Sequence, residues 1–342
     1  MISKIDVLIA YARLRGISEK IRCLSEIVHT TVNWWKVFAV RFGSMKSTTV
    51  RFRLTSTSYS LTKANYPVYC RRIRALNNIR VSKKIRRLGD CRFKFSHPRG
   101  LEFDCNEDML SYAGSAFQMD CYYDESDNLI CEVAGLKFVT PGYYGTLELN
   151  DIFLDKMYGE PQCENAVVVD VGAFIGDSSV FFASRHAKRV ISFEPVPELY
   201  EILRKNIALN GFENIIEARN QAISNYSGHT TVGYVPTWPG MSGEDSRGIE
   251  KAVLLEVECV SLSDVITSLG WVDILKLDCE GCEHRVLREA AEDSSLKNVG
   301  MIILEVHSDI RSIIALLRSQ RFRITKLAYY GTTNWILCVK HL

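Results

Sequence analysis

No apolar run in the 342 residues approaches the roughly 18 needed to span a membrane, and the apolar stretch from Val7 to Ala12 ends at Arg13. Neither a transmembrane helix nor a signal peptide is expected. The 11 cysteines are an odd number, scattered from Cys23 to Cys338 without an array of close pairs. That excludes a secreted disulfide framework and points to reduced thiols, mostly small buried residues, in a cytoplasmic protein. There is no internal repeat and no low-complexity segment. Net charge is nearly absent too, at +2, while 47% apolar residues supply a sizeable core and exclude a mostly disordered chain.

The near-zero charge hides a segregation. From Lys36 to Lys94 there are 16 Lys and Arg against one acid, Asp90, a charge of +15; the rest holds 26 basic against 39 acidic residues, or −13. Such a patch suits an acidic partner domain, an anionic substrate or surface, or nucleic acid, and Tyr59, Tyr66 and Tyr69 interleave with Arg71, Arg72 and Arg74. Helical spacing marks residues 1–42, a strand is expected within 48–54, and a basic amphipathic helical segment over 70–87. Residues 1–90 thus read as a helical and basic region. Short strands at 92–95, 102–104 and 129–139, with a helix over 147–158, make 91–159 a small β-rich subdomain and connecting helix, bounded by Gly159-Glu160-Pro161.

From residue 160 to 342 apolar strands alternate with helices, which calls for an α/β domain with a parallel sheet covered on both faces. Strands are expected at 166–171, 189–193, 215–219, 273–278 and 300–306. Helices are expected at 178–185, 197–210, 261–269, 283–290 and 309–320. Two final strands, 321–330 and 334–340, form a C-terminal antiparallel hairpin like that of the seven-stranded Rossmann-like methyltransferase sheet. Residues 231–247, rich in Gly, Pro and Ser, read as a loop that can act as a lid, with Trp238 over the acceptor.

The first strand runs into Asp170-Val-Gly172-Ala-Phe-Ile-Gly176-Asp177-Ser178, a glycine turn before a capped helix that lets a ligand approach the backbone. Glu194 closes the second strand 24 positions after Asp170, where a carboxylate meets the hydroxyls of a ribose. A nicotinamide cofactor wants Gly-x-Gly-x-x-Gly; Phe174 stands in the second glycine's place and would crowd a pyrophosphate. S-adenosylmethionine has no phosphates, and its charged amino-acid end suits Asp170.

Val169-Asp-Val-Gly-Ala-Phe-Ile-Gly, Phe193-Glu-Pro-Val-Pro-Glu-Leu-Tyr, Asn206-Ile-Ala-Leu-Asn-Gly, Asn220-Gln-Ala-Ile-Ser and Asp273-Ile-Leu-Lys-Leu-Asp-Cys-Glu-Gly-Cys-Glu occur in that order. Over residues 147–340 this series resembles the FkbM family of S-adenosylmethionine-dependent methyltransferases. The resemblance implies O-methylation of a sugar or other small hydroxylated acceptor, or of a glycan. It also implies that Asp170, Gly172, Gly176, Asp177 and Ser178 line the methionine end, Glu194 the ribose, and Gln221 with Ala222 the adenine edge. Phe174, Cys279 and Cys282 depart from the family's usual residues, and the two cysteines read as small buried side chains.

Methyl transfer to oxygen needs a proton acceptor near the sulfur. The candidates are Asp278, Glu280 and Glu283 after the fourth strand, Lys276 within it, and Glu305 and His307 at the end of the fifth. Of these, Asp278, Glu280 and His307 are assigned as catalytic, while His186 and His284 read as surface residues. Three acids and a histidine also have the composition to seat Mg²⁺, although no residue is assigned as a metal ligand. Two other readings stay open, a nucleic-acid methyltransferase using the basic segment and a binding module with a vestigial site.

Overall fold

The computed structural model describes residues 119–341 except 127, 143, 237, 238, 250, 251, 308 and 331–333, together with five strands ahead of them. Ser47–Arg51 pairs antiparallel with Ser58–Thr62, and Ile85–Gly89, Arg92–Ser96 and Glu102–Asn106 form an antiparallel ladder. The helical reading of 70–87 is therefore corrected at its end: Ile85–Gly89 finds a strand partner three residues downstream, and pairing outweighs a weak helical spacing. The rest of that segment and the helices expected within 1–42 lie outside the described residues.

Two compact units divide the chain, Met1–Cys121 and Tyr122–Leu342. In the second, the expected strand 129–139 is a hairpin of β1 (Leu129–Val133) and β2 (Leu136–Thr140). Ala134 (φ 53°) and Gly135 (φ 79°) reverse the chain between them, and two successive left-handed residues match the twist of paired strands. Helix α1 (Tyr144–Leu149) starts earlier than expected and runs on as a π-turn, Asn150–Leu154.

The central sheet follows: β3 (Val167–Val171), α2 (Asp177–Ala183), β4 (Arg189–Phe193), α3 (Pro197–Leu209) and β5 (Ile216–Arg219). A small sheet interrupts, with β6 (Ala222–Ser224), β7 (Gly228–Tyr234) and β8 (Val253–Ser261). Then come α4 (Leu262–Leu269), β9 (Val272–Leu277), α5 (Glu283–Glu292), β10 (Val299–Val306), α6 (Ile310–Ser319), β11 (Phe322–Tyr330) and β12 (Asn334–His341). The seven-stranded order is β5-β4-β3-β9-β10-β12-β11, with every strand parallel except β12, which runs antiparallel to both its neighbours. Because β4 lies on one side of β3 and β9 on the other, the strand order reverses beside β3, and the carboxyl ends of β3, β9 and β10 face one crevice. Val168, Val169, Leu275 and Ile302 show no exposed surface, as strands covered on both faces require.

The small sheet corrects the loop expected over 231–247. Its first residues belong to β7, which pairs antiparallel with β8 while β6 pairs parallel to it. Gly233 and Gly243 exchange backbone hydrogen bonds of 2.9 and 3.0 Å, so the following loop folds back on the strand. Threonines at β7 gave a weak apolar alternation that the Gly- and Pro-rich stretch behind it masked. Trp238 lies outside the described residues.

The β1–β2 hairpin is held to the sheet unit by two asparagines of the Asn206-Ile-Ala-Leu-Asn motif. Asn206 Oδ1 accepts from Val139 N at 2.7 Å, and its Nδ2 donates to the carbonyls of Val139 and Ile175 at 3.0 and 2.8 Å. Asn210, at the exposed end of α3, repeats the pattern on Lys137. Asn206 is fully buried, so its loss leaves backbone groups unsatisfied, at about 1–3 kcal/mol for each group. Asn206→Ala is expected to lower the denaturation midpoint by the equivalent of about 2–4 kcal/mol, and Asn210→Ala by much less. Equal effects in a urea titration would show that burial does not set the strength of the clamp.

Candidate functional site

The strand-to-helix turn after β3 is built on a buried ion pair. Asp170 is fully buried; its Oδ2 accepts from the hydroxyls of Ser178 and Ser179 at 2.7 and 2.6 Å, and its Oδ1 lies 3.4 Å from Lys276 Nζ of β9. The same ammonium donates to the carbonyls of Gly172 and Val171 at 2.6 and 3.2 Å. Burial pulls Lys276 down, but the carboxylates of Asp170, Asp278 and Asp177 outweigh it and hold the ammonium above its ordinary pKa. Asp170 thus stands beneath the turn and fixes it, and so does Ser178.

Both glycines answer to close packing. A Cβ on Gly172 (φ 71°) would lie 1.7 Å from the carbonyl oxygen of Asp278, and one on Gly176 (φ 85°) 2.6 Å from Leu203. Between them Phe174 takes a left-handed conformation (φ 48°) and stays half-buried. Its amide donates to Glu194 Oε2 at 2.9 Å, and Val196 N donates to Oε1 at 2.9 Å. Glu194 therefore joins the glycine turn to the end of β4, and each oxygen retains a lone pair for a ligand. Burial lifts its carboxyl to about 8 against these hydrogen bonds, and that of Asp177 to about 7. Gln221 hydrogen-bonds Glu258 across to β8, and Ala222 packs with Val232, Val257 and Cys259 in the small sheet's core.

The candidates beyond β9 and β10 come together. His307 Nε2 lies 3.4 Å from Glu280, 3.8 Å from Glu305 and 3.9 Å from Asp278. On its other side Nδ1 meets Glu283 Oε1 at 2.8 Å, and that buried oxygen also accepts from the amides of Cys279 and Gly281, both at 3.3 Å. Glu283, one of the wider set of candidates read from sequence, is the buried orienting group of the loop and the ring. Burial opposes charge on His307, but the surrounding carboxylates of Glu280, Glu283 and Asp278 raise it to about 12. At neutral pH the ring then carries its proton and is no base, which the sequence pattern could not reveal. Burial likewise raises the Glu280 carboxyl, against the pull of His307. His186 is exposed, and His284 contacts Arg288 at 3.4 Å, away from this cluster.

Cys279 and Cys282 are joined in a disulfide, with Cα atoms 5.5 Å apart, which corrects their reading as separate reduced thiols. Left-handed Glu280 (φ 49°) and Gly281 (φ 115°) turn the chain back so that cysteines three positions apart meet. The loop after β7 packs on this turn: a Cβ on Gly243 would lie 2.4 Å from Glu280 Cβ and 2.7 Å from the Cys279 carbonyl oxygen. Arg285 of α5 pairs with Glu244 beside it.

A sequence profile of the FkbM methyltransferase domain matches residues 170–324. Methyltransferase sdnD of Sordaria araneosa is 30% identical over 210 residues, which cover 52% of this chain and 81% of that protein. Methyltransferase 1 of Beauveria bassiana is 24% identical over 198 residues, covering 51% and 79%. Among solved structures, the precorrin-6y C5,15-methyltransferase of Geobacter metallireducens gives a TM-score of 0.34 at 10% identity, covering 52% of this chain and 81% of that one.

Glu194 and Asp177 set a pH dependence. Their folded pKa values lie above the ordinary 4.5 and 3.8, so between the unfolded and folded values the native state binds more protons. Their stabilising contribution is full below about pH 4 and declines as pH rises through 7 and 8. The melting temperature of cofactor-free protein is expected to fall over that window, and Glu194→Gln to flatten the fall. Identical slopes for the two proteins would contradict a buried, proton-holding Glu194.

Proposed function

Because the chain belongs to the FkbM methyltransferase family, we propose that it moves the methyl group of S-adenosylmethionine to the hydroxyl of a sugar or another small hydroxylated acceptor. The observation that carries this reading is the acidic rim: Asp278 and Glu280, with 28% and 21% of their side chains exposed, stand just beyond the carboxyl end of β9, where the Asp278 carbonyl packs on Gly172 of the glycine turn. Bound S-adenosylmethionine supplies a methyl group activated on a sulfonium. The residues suit it, since Glu194 is fixed by two amides with lone pairs left for a ribose diol, and the partly exposed carboxylate of Asp278, 3.7 Å from Lys276 Nζ, can also meet a cationic end. Lys276 and Asp170 keep the turn in place below. Protonated His307 holds the rim carboxylates together, so Asp278 and Glu280 are the groups able to receive the acceptor's proton.

A nucleic-acid acceptor would draw on the +15 segment at 36–94, and steep weakening with salt would mark it. No helix among the described residues is long and apolar enough to cross a membrane.

Labelled-methyl transfer to lysate fractions separated into glycan, lipid, small-molecule and RNA pools is expected to label the glycan or small-molecule pool; label confined to RNA would overturn the acceptor. Glu194→Gln is expected to weaken S-adenosylmethionine binding tenfold or more, because the amide keeps one acceptor oxygen where Glu194 has two and turns an NH₂ toward one of the two backbone amides. Glu280→Gln should lower turnover by on the order of 10²–10⁴ at nearly unchanged cofactor affinity. Full turnover in Glu280→Gln would remove this carboxylate from the chemistry.

A further inference from the structure

Beside the cofactor turn, one oxygen each of Asp278 and Glu280 and a ring nitrogen of His307 all lie within 4.8 Å of one another. Two donors on one cation at about 2.0–2.2 Å stand roughly 3–4.4 Å apart, and the 3.4 and 3.9 Å separations from Nε2 to Glu280 and Asp278 fall in that range. The histidine supplies the independent sign. Its side chain is only 7% exposed, and Nε2 is shut off from solvent without a hydrogen-bond partner, although it points among carboxylates. Glu283 engages Nδ1 at 2.8 Å and thereby turns Nε2 inward, the arrangement by which a carboxylate orients a metal-binding imidazole.

We propose that Asp278, Glu280 and His307 Nε2 bind one divalent transition-metal cation, with Glu283 as the positioning residue. Two carboxylate oxygens and one imidazole nitrogen favour Mn²⁺ over Mg²⁺, because the nitrogen donor suits the transition ion. The neighbouring thiols are tied to each other in the disulfide and offer no sulfur ligand. Asp278 and Glu280 are both partly exposed, which leaves the cation's outward positions to a ligand oxygen. The use of the site in catalysis rests on the methyl-transfer reading; the binding itself does not. In that use the cation displaces the proton of His307 Nε2, and the acceptor hydroxyl coordinates the cation and releases its own proton to water in place of Asp278 or Glu280, which are then held as ligands. The oxygen then bonds the methyl carbon as the carbon–sulfur bond breaks, and the electron pair stays on sulfur.

Titration calorimetry of the chelator-treated full-length protein with Mn²⁺ is the test, with S-adenosylmethionine affinity as a check that each variant is folded. One Mn²⁺ per chain is expected, bound at least tenfold more tightly than Mg²⁺, and weakened tenfold or more in both His307→Ala and Glu280→Gln. Glu283→Gln should weaken it less. A folded protein that takes up no Mn²⁺ at millimolar concentration would mean that a proton alone fills the site and would overturn the proposal. So would unchanged Mn²⁺ affinity in cofactor-binding His307→Ala and Glu280→Gln. Because binding is read without turnover, metal-free methyl transfer and failed methyl transfer are separable results.

Discussion

Lys276 is the cation on which the crevice is built. A buried ammonium is costly unless every charge and donor is matched; here Asp170 faces it across the β3–β9 junction, and two carbonyls of the glycine turn receive its protons. The pair therefore does more than bind two strands. It fixes where the turn's carbonyls point and, through Ser178 and Ser179, where α2 begins. Removing one partner leaves an uncompensated buried charge at about 3–5 kcal/mol, a large share of a domain's net stability. With the turn pinned from below, its backbone can meet Glu194 on one side and the Asp278 carbonyl on the other without a flexible side chain to adjust the fit.

The central sheet was legible because its strands are apolar on both faces and its helices carry regular spacing: Val167–Val171, Arg189–Phe193 and Val272–Leu277 lie within a residue of their expected bounds. The terminal hairpin was legible for the same reason. What escaped reading was local structure decided by partners far away in sequence. The Thr- and Gly-rich β7 is a strand because β8 lies beside it, and the 129–139 segment divides where two residues accept left-handed backbone.

The site residues divide in a similar way. Their positions at strand ends followed from the alternation of elements, and Asp278, Glu280 and His307 do converge. Their roles depend on side-chain direction. Asp170 was legible as a strand-end acid, but its complete burial against Lys276 is a property of the neighbouring strand, not of its own segment. Gly172 is a glycine because the Asp278 carbonyl of β9's end would lie 1.7 Å from a Cβ there, a contact with no trace in the local spacing. Likewise nothing in Leu304-Glu-Val-His foretold that the imidazole would favour its charged form; three carboxylates of the single stretch Asp278 to Glu283 decide that.

Lys276-Leu-Asp278-Cys-Glu280-Gly-Cys-Glu283 shows why fold and chemistry cannot be separated here. Within eight residues the chain places a buried cation under the turn, a carboxylate on the rim, a second carboxylate aimed at His307, and a buried acid that caps the loop and orients the ring. Strand alternation serves the first two, since residues two apart share a face. The left-handed step at Glu280 and the glycine after it end that alternation and redirect the chain into α5. The disulfide closes the same step, so the carboxylate that faces His307 is held by the geometry that ends the strand. A substitution that relaxed the turn would move Glu280 away from His307 even with every side chain of the site retained.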